Sequence, residues 1–176
     1  MSQTRTGEVT LKGDPITLVG PKLKAGDPAP DFTCADGMKT TVSKAATAGK
    51  VRFFNVVPSL DTPVCNIQTR KFAEALGALG DKVAAYTVST DLPFAMGRWC
   101  GDAKVTSIKN LSDTHDGSFG RNYGVLIQGL AMPLLARAVF VVDAADKIAY
   151  VEIVPEIAQE PNYEGALSAL KAAVGA

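Results

Sequence analysis

The chain has no cluster of like charge, no long apolar span, one histidine and three cysteines, and each shortage removes a class of function. Eighteen Lys and Arg balance eighteen Asp and Glu over 176 residues. With neither sign clustered, there is no electrostatic footprint for nucleic acid or an anionic membrane, and small neutral partners are expected. The most apolar region, Tyr123 to Val142, is broken by Gln128, Gly129, Pro133 and Arg137. It is unsuited to crossing a bilayer and reads as a loop feeding a strand. The N-terminal "MSQTRTGEVTLKGDP" lacks the apolar core of a secretory signal, so a cytoplasmic location is expected. Cys34, Cys65 and Cys100 are widely separated, and His115 is the sole histidine, which makes a poor metal inventory and points to no metal site. So sparse and odd a cysteine count also argues against a structural disulfide framework. It leaves inert thiols or redox-active ones.

What is present suffices for one domain, expected to span 1–176 and to bury about 70% of the surface its unfolded form exposes. Glu8 to Lys12 and Ile16 to Val19 flank "GDP" as a short hairpin, an N-terminal extension within residues 1–24. A short strand carries Cys34, and "KVRFFNVV", from Lys50 to Val57, suits a central strand covered on both faces, ended by Pro58. From Pro63 to about Leu79, Val64, Ile67, Phe72, Ala75, Leu76 and Leu79 recur at helical spacing, and Gly80 closes the helix. "KVAAYTVST" reads as a strand. "DLPFAMGRWCGDA" reads as a helix opened by Asp91 and Pro93, with Phe94 and Trp99 at packing positions beside Cys100. "IKNLSD" reads as a strand, "GSFGRNYG" as a turn or two of helix, Arg137–Asp143 and Lys147–Val154 as an antiparallel pair, and "EPNYEGALSALKAAV" as a last helix. Strand and helix in alternation, closed by a hairpin and a helix, predict an α/β fold: a central mixed sheet flanked by helices.

The stretch "PSLDTPVC" places a cysteine where an apolar strand breaks into a helix. With Thr62 as N-cap and Pro63 as first helical residue, Cys65 is the third, beside unpaired backbone N–H groups. The partial positive charge there favours thiolate over thiol. Ionisation alone is a small gain, because a free thiol of pKa about 8.5 is about 3% ionised at pH 7, and full ionisation adds only about 30-fold. Fast chemistry needs further groups that bind an electrophile and stabilise charge as its bond breaks. Thr62 offers a hydroxyl. Arg70 points elsewhere on the helix, and Arg137, bordering "AVFVV", is the more interesting cation, either a solvated strand end or a charge aimed into a site.

"PSLDTPVC" resembles the P-x-x-x-T-x-x-C pattern of the peroxiredoxins. "DLPFAMGRWC", "ARAVFVVD" and "EIAQEPNYEGAL" are similar to the matching segments of their atypical two-cysteine, thiol-peroxidase branch, and the likeness covers nearly the whole chain. The resemblance implies a thioredoxin-like fold and antioxidant reduction of hydrogen peroxide and alkyl hydroperoxides without metal, flavin or haem cofactors. It implies that Cys65 is the peroxidatic thiolate, that Pro58 shields the pocket, that Thr62 hydrogen-bonds the peroxide, and that Arg137 polarises it. It further implies that Cys100 resolves the Cys65 sulfenic acid into an intramolecular Cys65–Cys100 disulfide, recycled by thioredoxin, in a homodimer. Disulfide geometry wants Cα atoms about 4.4–6.8 Å apart, so both cysteine-bearing helix ends are expected to unwind during turnover.

Pro63 replaces a glycine often seen before "VC" in the family, which stiffens the helix start without removing a needed donor. Asn66 has no evident role. Cys34 reads as a buried strand residue and His115 as a solvated turn residue. The apolar loop "GVLIQGLAMPLL" suits core, dimer contact or the tail of an alkyl hydroperoxide. A peroxide-sensing switch that binds a partner when oxidised is the alternative reading. A disulfide oxidoreductase is weakened because Thr62 stands where C-x-x-C enzymes have a cysteine.

Overall fold

The computed structural model describes residues 3–175. Residues 1, 2 and 176, which the expected 1–176 domain and 1–24 extension include, lie outside the described residues. The chain runs through β1 (Thr4–Leu11), β2 (Asp14–Val19), β3 (Thr33–Ala35), β4 (Thr41–Ser43), β5 (Val51–Val56), α1 (Pro63–Gly77), β6 (Val83–Ser89) and α2 (Pro93–Ala103). It continues with β7 (Lys109–Ser112), α3 (Ser118–Asn122), β8 (Leu126–Gln128), β9 (Ala138–Val142), β10 (Ile148–Ile153) and α4 (Tyr163–Val174). Seven strands form a mixed sheet in the order β10-β9-β5-β6-β7-β3-β4, in which β5, β6 and β7 are parallel and the remaining pairs antiparallel.

Strand β5 is buried along its whole length, as expected of an apolar run with neighbours on both edges and side chains over both faces. Its alternation separates two cores. Phe53, with Val139 and Val141, meets Phe72 and Leu76 of α1 and Ala166 and Leu170 of α4. Phe54 and Val56, with Phe140, meet Phe119 of α3, Tyr123, and Val9 and Leu18 of the N-terminal hairpin. Each fully buried aromatic or branched side chain contributes about 1.5–3 kcal/mol through the apolar area it removes from water. The expected mixed sheet with cover on both faces is therefore present.

Several local expectations are corrected. The hairpin turn is Lys12-Gly13 rather than "GDP": both residues have positive φ, 53° and 87°, the two-residue geometry that follows the right-handed twist of the strands. Asp14 and Pro15 belong to β2. Strand β8 comes from the apolar loop and adds a third strand to the hairpin by pairing with β2, and β4, also unforeseen, forms the edge of the main sheet beyond β3. Helix α1 ends at Gly77, and Gly80 instead begins a short 3-10 turn. Ile67 is exposed while Cys65, Gln68 and Thr69 are buried, so the first half of the inward face of α1 is polar. Asp91 does not cap α2, whose N-cap is Leu92.

The hairpin is tied to the body at both ends. Buried Arg5 donates to the Pro21 and Gly124 carbonyls at 2.9 Å each. At Gly124 a Cβ would lie 1.9 Å from the Pro21 carbonyl oxygen, so the chain passes there only without a side chain. At the turn, the Glu156 carboxylate accepts from the Thr10 hydroxyl at 2.7 Å and from the Lys12 and Gly13 N–H groups at 3.1 Å each. Thr10 also pairs backbone to backbone with Pro155 and Ile157. No helix among the described residues is long and apolar enough to cross a membrane.

The Thr10 hydroxyl first, then the backbone N–H donors, hold the Glu156 carboxyl down to about 2 from its ordinary 4.5. A folded-state pKa below the unfolded one gives stability that is present above the unfolded value and lost as pH falls. Unfolding titrations by urea at stepped pH should show stability declining from about pH 4.5 towards pH 2, and Glu156→Gln should flatten that part of the profile.

Candidate active site

The site forms where β5 ends. Pro58 is buried and, without an N–H, terminates the ladder after Val57, whose N–H still donates to Val88 O at 3.0 Å. The chain turns through Ser59–Asp61, and Thr62 enters α1 as N-cap with an extended backbone, φ −108° and ψ 148°. Its side chain makes no capping hydrogen bond. Thr62 Oγ1 instead lies 2.8 Å from Cys65 Sγ and 2.8 Å from Ser59 O. A hydroxyl has one proton to donate. With a thiolate at Cys65 that proton goes to sulfur; with a thiol it can go to Ser59 O while the oxygen faces S–H. Cys65 is fully buried as the third residue of α1, behind Pro63. The free N–H groups of the first turn set a positive partial charge beside it.

Arg137 arrives from the neighbouring strand. The register pairs Val56 with Ala138, so the residue before β9 stands at the end of β5 where α1 begins. Arg137 is 2% exposed. Its Nη1 lies 3.5 Å from Cys65 Sγ and donates to Gln68 Oε1 at 2.8 Å, and its Nε donates to Ile157 O at 2.8 Å. Among the described residues no carboxylate forms a salt bridge with it. Burying a guanidinium costs several kcal/mol, and neutral acceptors satisfy its protons without cancelling its charge. That charge stands 3.5 Å from Cys65 Sγ. The structure thus brings Thr62, Cys65 and Arg137 together, with Pro58 buried where β5 ends.

A buried polar chain behind this group escaped sequence reasoning. Gln68 Nε2 donates to Asn55 Oδ1 at 2.6 Å, and Asn55 Nδ2 donates to Thr69 Oγ1 at 2.9 Å and Thr87 Oγ1 at 3.1 Å. All four residues are fully buried. They connect α1, β5 and β6 to the guanidinium. A signal existed: Asn55 and Thr87 interrupt apolar strands, and Gln68 and Thr69 follow Cys65 at the three- and four-residue spacing that shares a helix face.

Cys100 lies in α2 and Cys65 in α1. Both are free thiols, as is Cys34. Cys100 is half-buried against the cluster of Val57, Leu60, Cys65, Met96 and Trp99. Asn110 Nδ2 donates to its sulfur at 3.2 Å. Burial pushes the Cys100 thiol up, with the Asn110 amide pulling the other way. Asn66, without a role from sequence, accepts from Arg70 Nε at 2.8 Å, and the Arg70 guanidinium reaches Ala103 O and lies 5.5 Å from the Trp99 ring centroid. These contacts bind α1 to α2. Trp99 packs as expected, but Phe94 does not: it is 61% exposed, and Leu92, Leu130 and Met132 are exposed as well. Cys34 is a fully buried strand residue whose thiol burial and Asp113 push up, and His115 is an exposed turn residue. No cluster of metal-binding side chains occurs among the described residues.

Gln68→Leu removes an acceptor from a buried guanidinium and a donor from Asn55. Equilibrium denaturation should register a loss of about 1–3 kcal/mol or more, the cost of leaving buried polar groups unpaired.

The Redoxin family profile matches residues 24–167. The thiol peroxidase of Bacillus subtilis strain 168 is 49% identical over 167 residues, covering 95% of this chain and 98% of that protein. The thiol peroxidase of Halalkalibacterium halodurans is 51% identical over 166 residues, covering 94% and 98%. Among solved structures, a peroxiredoxin-like protein from Aquifex aeolicus superposes with a TM-score of 0.87 at 41% identity over 97% of this chain and 98% of that one. A thiol peroxidase from Chromobacterium violaceum, at 18% identity, shares the fold with a TM-score of 0.82 over 93% and 95% of the two chains. With its α/β thioredoxin-like fold and N-terminal hairpin sheet, the chain belongs to the Redoxin family and, within it, to the thiol peroxidases.

Proposed function

We propose that Cys65 is the peroxidatic cysteine of this thiol peroxidase, that Cys100 resolves it, and that thioredoxin recycles the pair. The observation that carries the reading is the placement of Cys65 Sγ between Thr62 Oγ1 and Arg137 Nη1, at 2.8 and 3.5 Å. A hydroperoxide entering past Pro58 would meet both donors. The Cys65 thiolate attacks the distal peroxide oxygen and the O–O bond breaks. The leaving oxygen takes a proton to depart as water or alcohol, and Cys65 becomes a sulfenic acid. Arg137 and the Thr62 hydroxyl stabilise charge as it moves from sulfur to oxygen, the contribution that ionisation alone does not supply.

The Cys100 thiol then attacks the Cys65 sulfur. The S–O bond breaks, one water leaves with the thiol proton, and a Cys65–Cys100 disulfide remains. Burial pushes the Cys100 thiol up, which favours its less nucleophilic protonated form in the folded arrangement. Its attachment to Asn110 and that of Cys65 to Thr62 and Arg137 support local unwinding as the route to bond formation. Two thiols of thioredoxin give up two electrons and two protons to restore the starting state. The exposed side chains of Leu92, Phe94, Leu130 and Met132 suit an alkyl hydroperoxide tail or the contact of a homodimer. A single domain working in the cytoplasm completes the reading.

Cys65→Ser should abolish thioredoxin-linked peroxide consumption, while Cys100→Ser should reduce one equivalent and then halt, with Cys65 passing to sulfinic acid under excess peroxide. Normal cycling by either variant would sink the corresponding assignment. Intact mass after one equivalent of peroxide should fall by two hydrogens, with the link mapping to Cys65 and Cys100. Slow single turnover with tight capture of a client only in the oxidised state would favour the switch reading.

A further inference from the structure

Asp91 lies in the segment between β6 and α2, where the reaction as derived gives it no part. Its Oδ1 accepts from the Ser59 hydroxyl at 2.7 Å, and its Oδ2 accepts from the Leu60 N–H at 2.8 Å and the Ser89 hydroxyl at 2.9 Å. Its own backbone is held as well: the N–H donates to Ser89 Oγ at 3.1 Å, and the carbonyl accepts from the Ser112 hydroxyl at 2.6 Å. Among the described residues no cation pairs with the carboxylate, so these three donors alone hold it.

The topology gives these bonds their meaning. Strands β5 and β6 are adjacent and parallel, so the segments that follow them leave the sheet side by side. One leads within a few residues to Cys65 and the other, through α2, to Cys100. Asp91 is fixed to the second and grips the first at Ser59 and Leu60, three and two residues before Thr62.

We propose that Asp91 is a positioning residue for the resolving half of the reaction, a latch that holds the 59–62 segment in the arrangement where Cys65 meets peroxide and whose release governs passage to the disulfide. The proposal rests on Cys100 being the resolving thiol. Before the two sulfurs can bond, the first turn of α1 must leave its place, and the bonds from Ser59 and Leu60 to Asp91 oppose that departure. An interaction made in one state and lost in the other shifts their equilibrium by its differential strength. While Cys65 waits as a sulfenic acid in the folded arrangement, a second peroxide can carry it to sulfinic acid. The latch therefore sets the division between resolution and over-oxidation as well as the potential of the dithiol–disulfide pair.

Two variants test this. Asp91→Asn keeps shape and removes the charge; Ser59→Ala removes the Ser59 hydroxyl from Asp91, together with its acceptance of the Asp61 N–H at 3.2 Å, and serves if the first folds poorly. In Ser59→Ala the rate constant for peroxide with Cys65 should stay within about twofold, since the Ser59 carbonyl that faces Thr62 is untouched. In both, disulfide formation should quicken about threefold to tenfold, and the peroxide concentration giving half-inactivation should rise in proportion. The same factor appears as a potential about 15–30 mV more negative. Slower disulfide formation would overturn the proposal by making Asp91 an anchor for the moving turn, and unchanged rates and potential would overturn it outright. Absence of the Cys65–Cys100 disulfide in the unaltered protein would overturn both this and the assignment of Cys100. A normal disulfide there with unaffected variants removes only the role of Asp91.

Discussion

One buried positive charge organises the site. Among the described residues Arg137 forms no salt bridge with a carboxylate, and its hydrogen-bond acceptors are a carbonyl and an amide, groups that orient a guanidinium without neutralising it. A glutamate in place of Gln68 would satisfy the same N–H and compete with sulfur for the charge. The chain instead spends a row of buried neutral side chains, Gln68, Asn55, Thr69 and Thr87, on fixing the cation and leaves its field to act at Cys65. Such a network tolerates little error, because each member satisfies the next and an unpaired buried amide costs more than the hydrogen bond it made gains.

The parts of the molecule legible in the sequence are those governed by short-range chemistry. The break at Pro58, the cap at Thr62 and the proline at the head of α1 place Cys65 correctly, because capping and strand termination are decided within a few residues. β5 and α4 follow from hydrophobic pattern and flanking residues alone. What escaped depends on partners far along the chain. β8 is a three-residue strand that exists because β2 offers it an edge. Asp91 reads as a helix-opening acid, yet its carboxylate turns to a loop about thirty residues earlier in the chain, for a reason visible only once β5 and β6 are side by side. The polar inner face of α1 was hidden by the larger apolar residues around it, of which Ile67 proves to be exposed. Arg137 stands out in the sequence from its place beside an apolar strand, but that no carboxylate among the described residues forms a salt bridge with it is a property of the folded surroundings.

The N-terminal hairpin is less of an appendage than its position suggests. Its turn rests on Glu156, and Thr10 pairs with the backbone on either side of that residue. The next residue, Ile157, supplies the carbonyl that holds Arg137 Nε. A continuous set of hydrogen bonds therefore runs from the first strand pair to the guanidinium. Arg5, buried and bonded across the Gly20–Pro21 and Gly124 backbones, fixes the other end. The orientation of a charge beside the sulfur thus has support from the part of the chain most distant from it in sequence.

Trp99 is the only tryptophan, and its indole Nε1 is buried with no hydrogen-bond partner among the described residues. It sits in the small cluster with Leu60, Cys65 and Met96 against which Cys100 packs, under the Arg70 guanidinium. Any departure of either helix end from that cluster admits water to the indole and removes the cation from its face. The emission of a single native fluorophore is thereby coupled to the packing around both thiols, and the molecule carries its own optical gauge of that opening without a label.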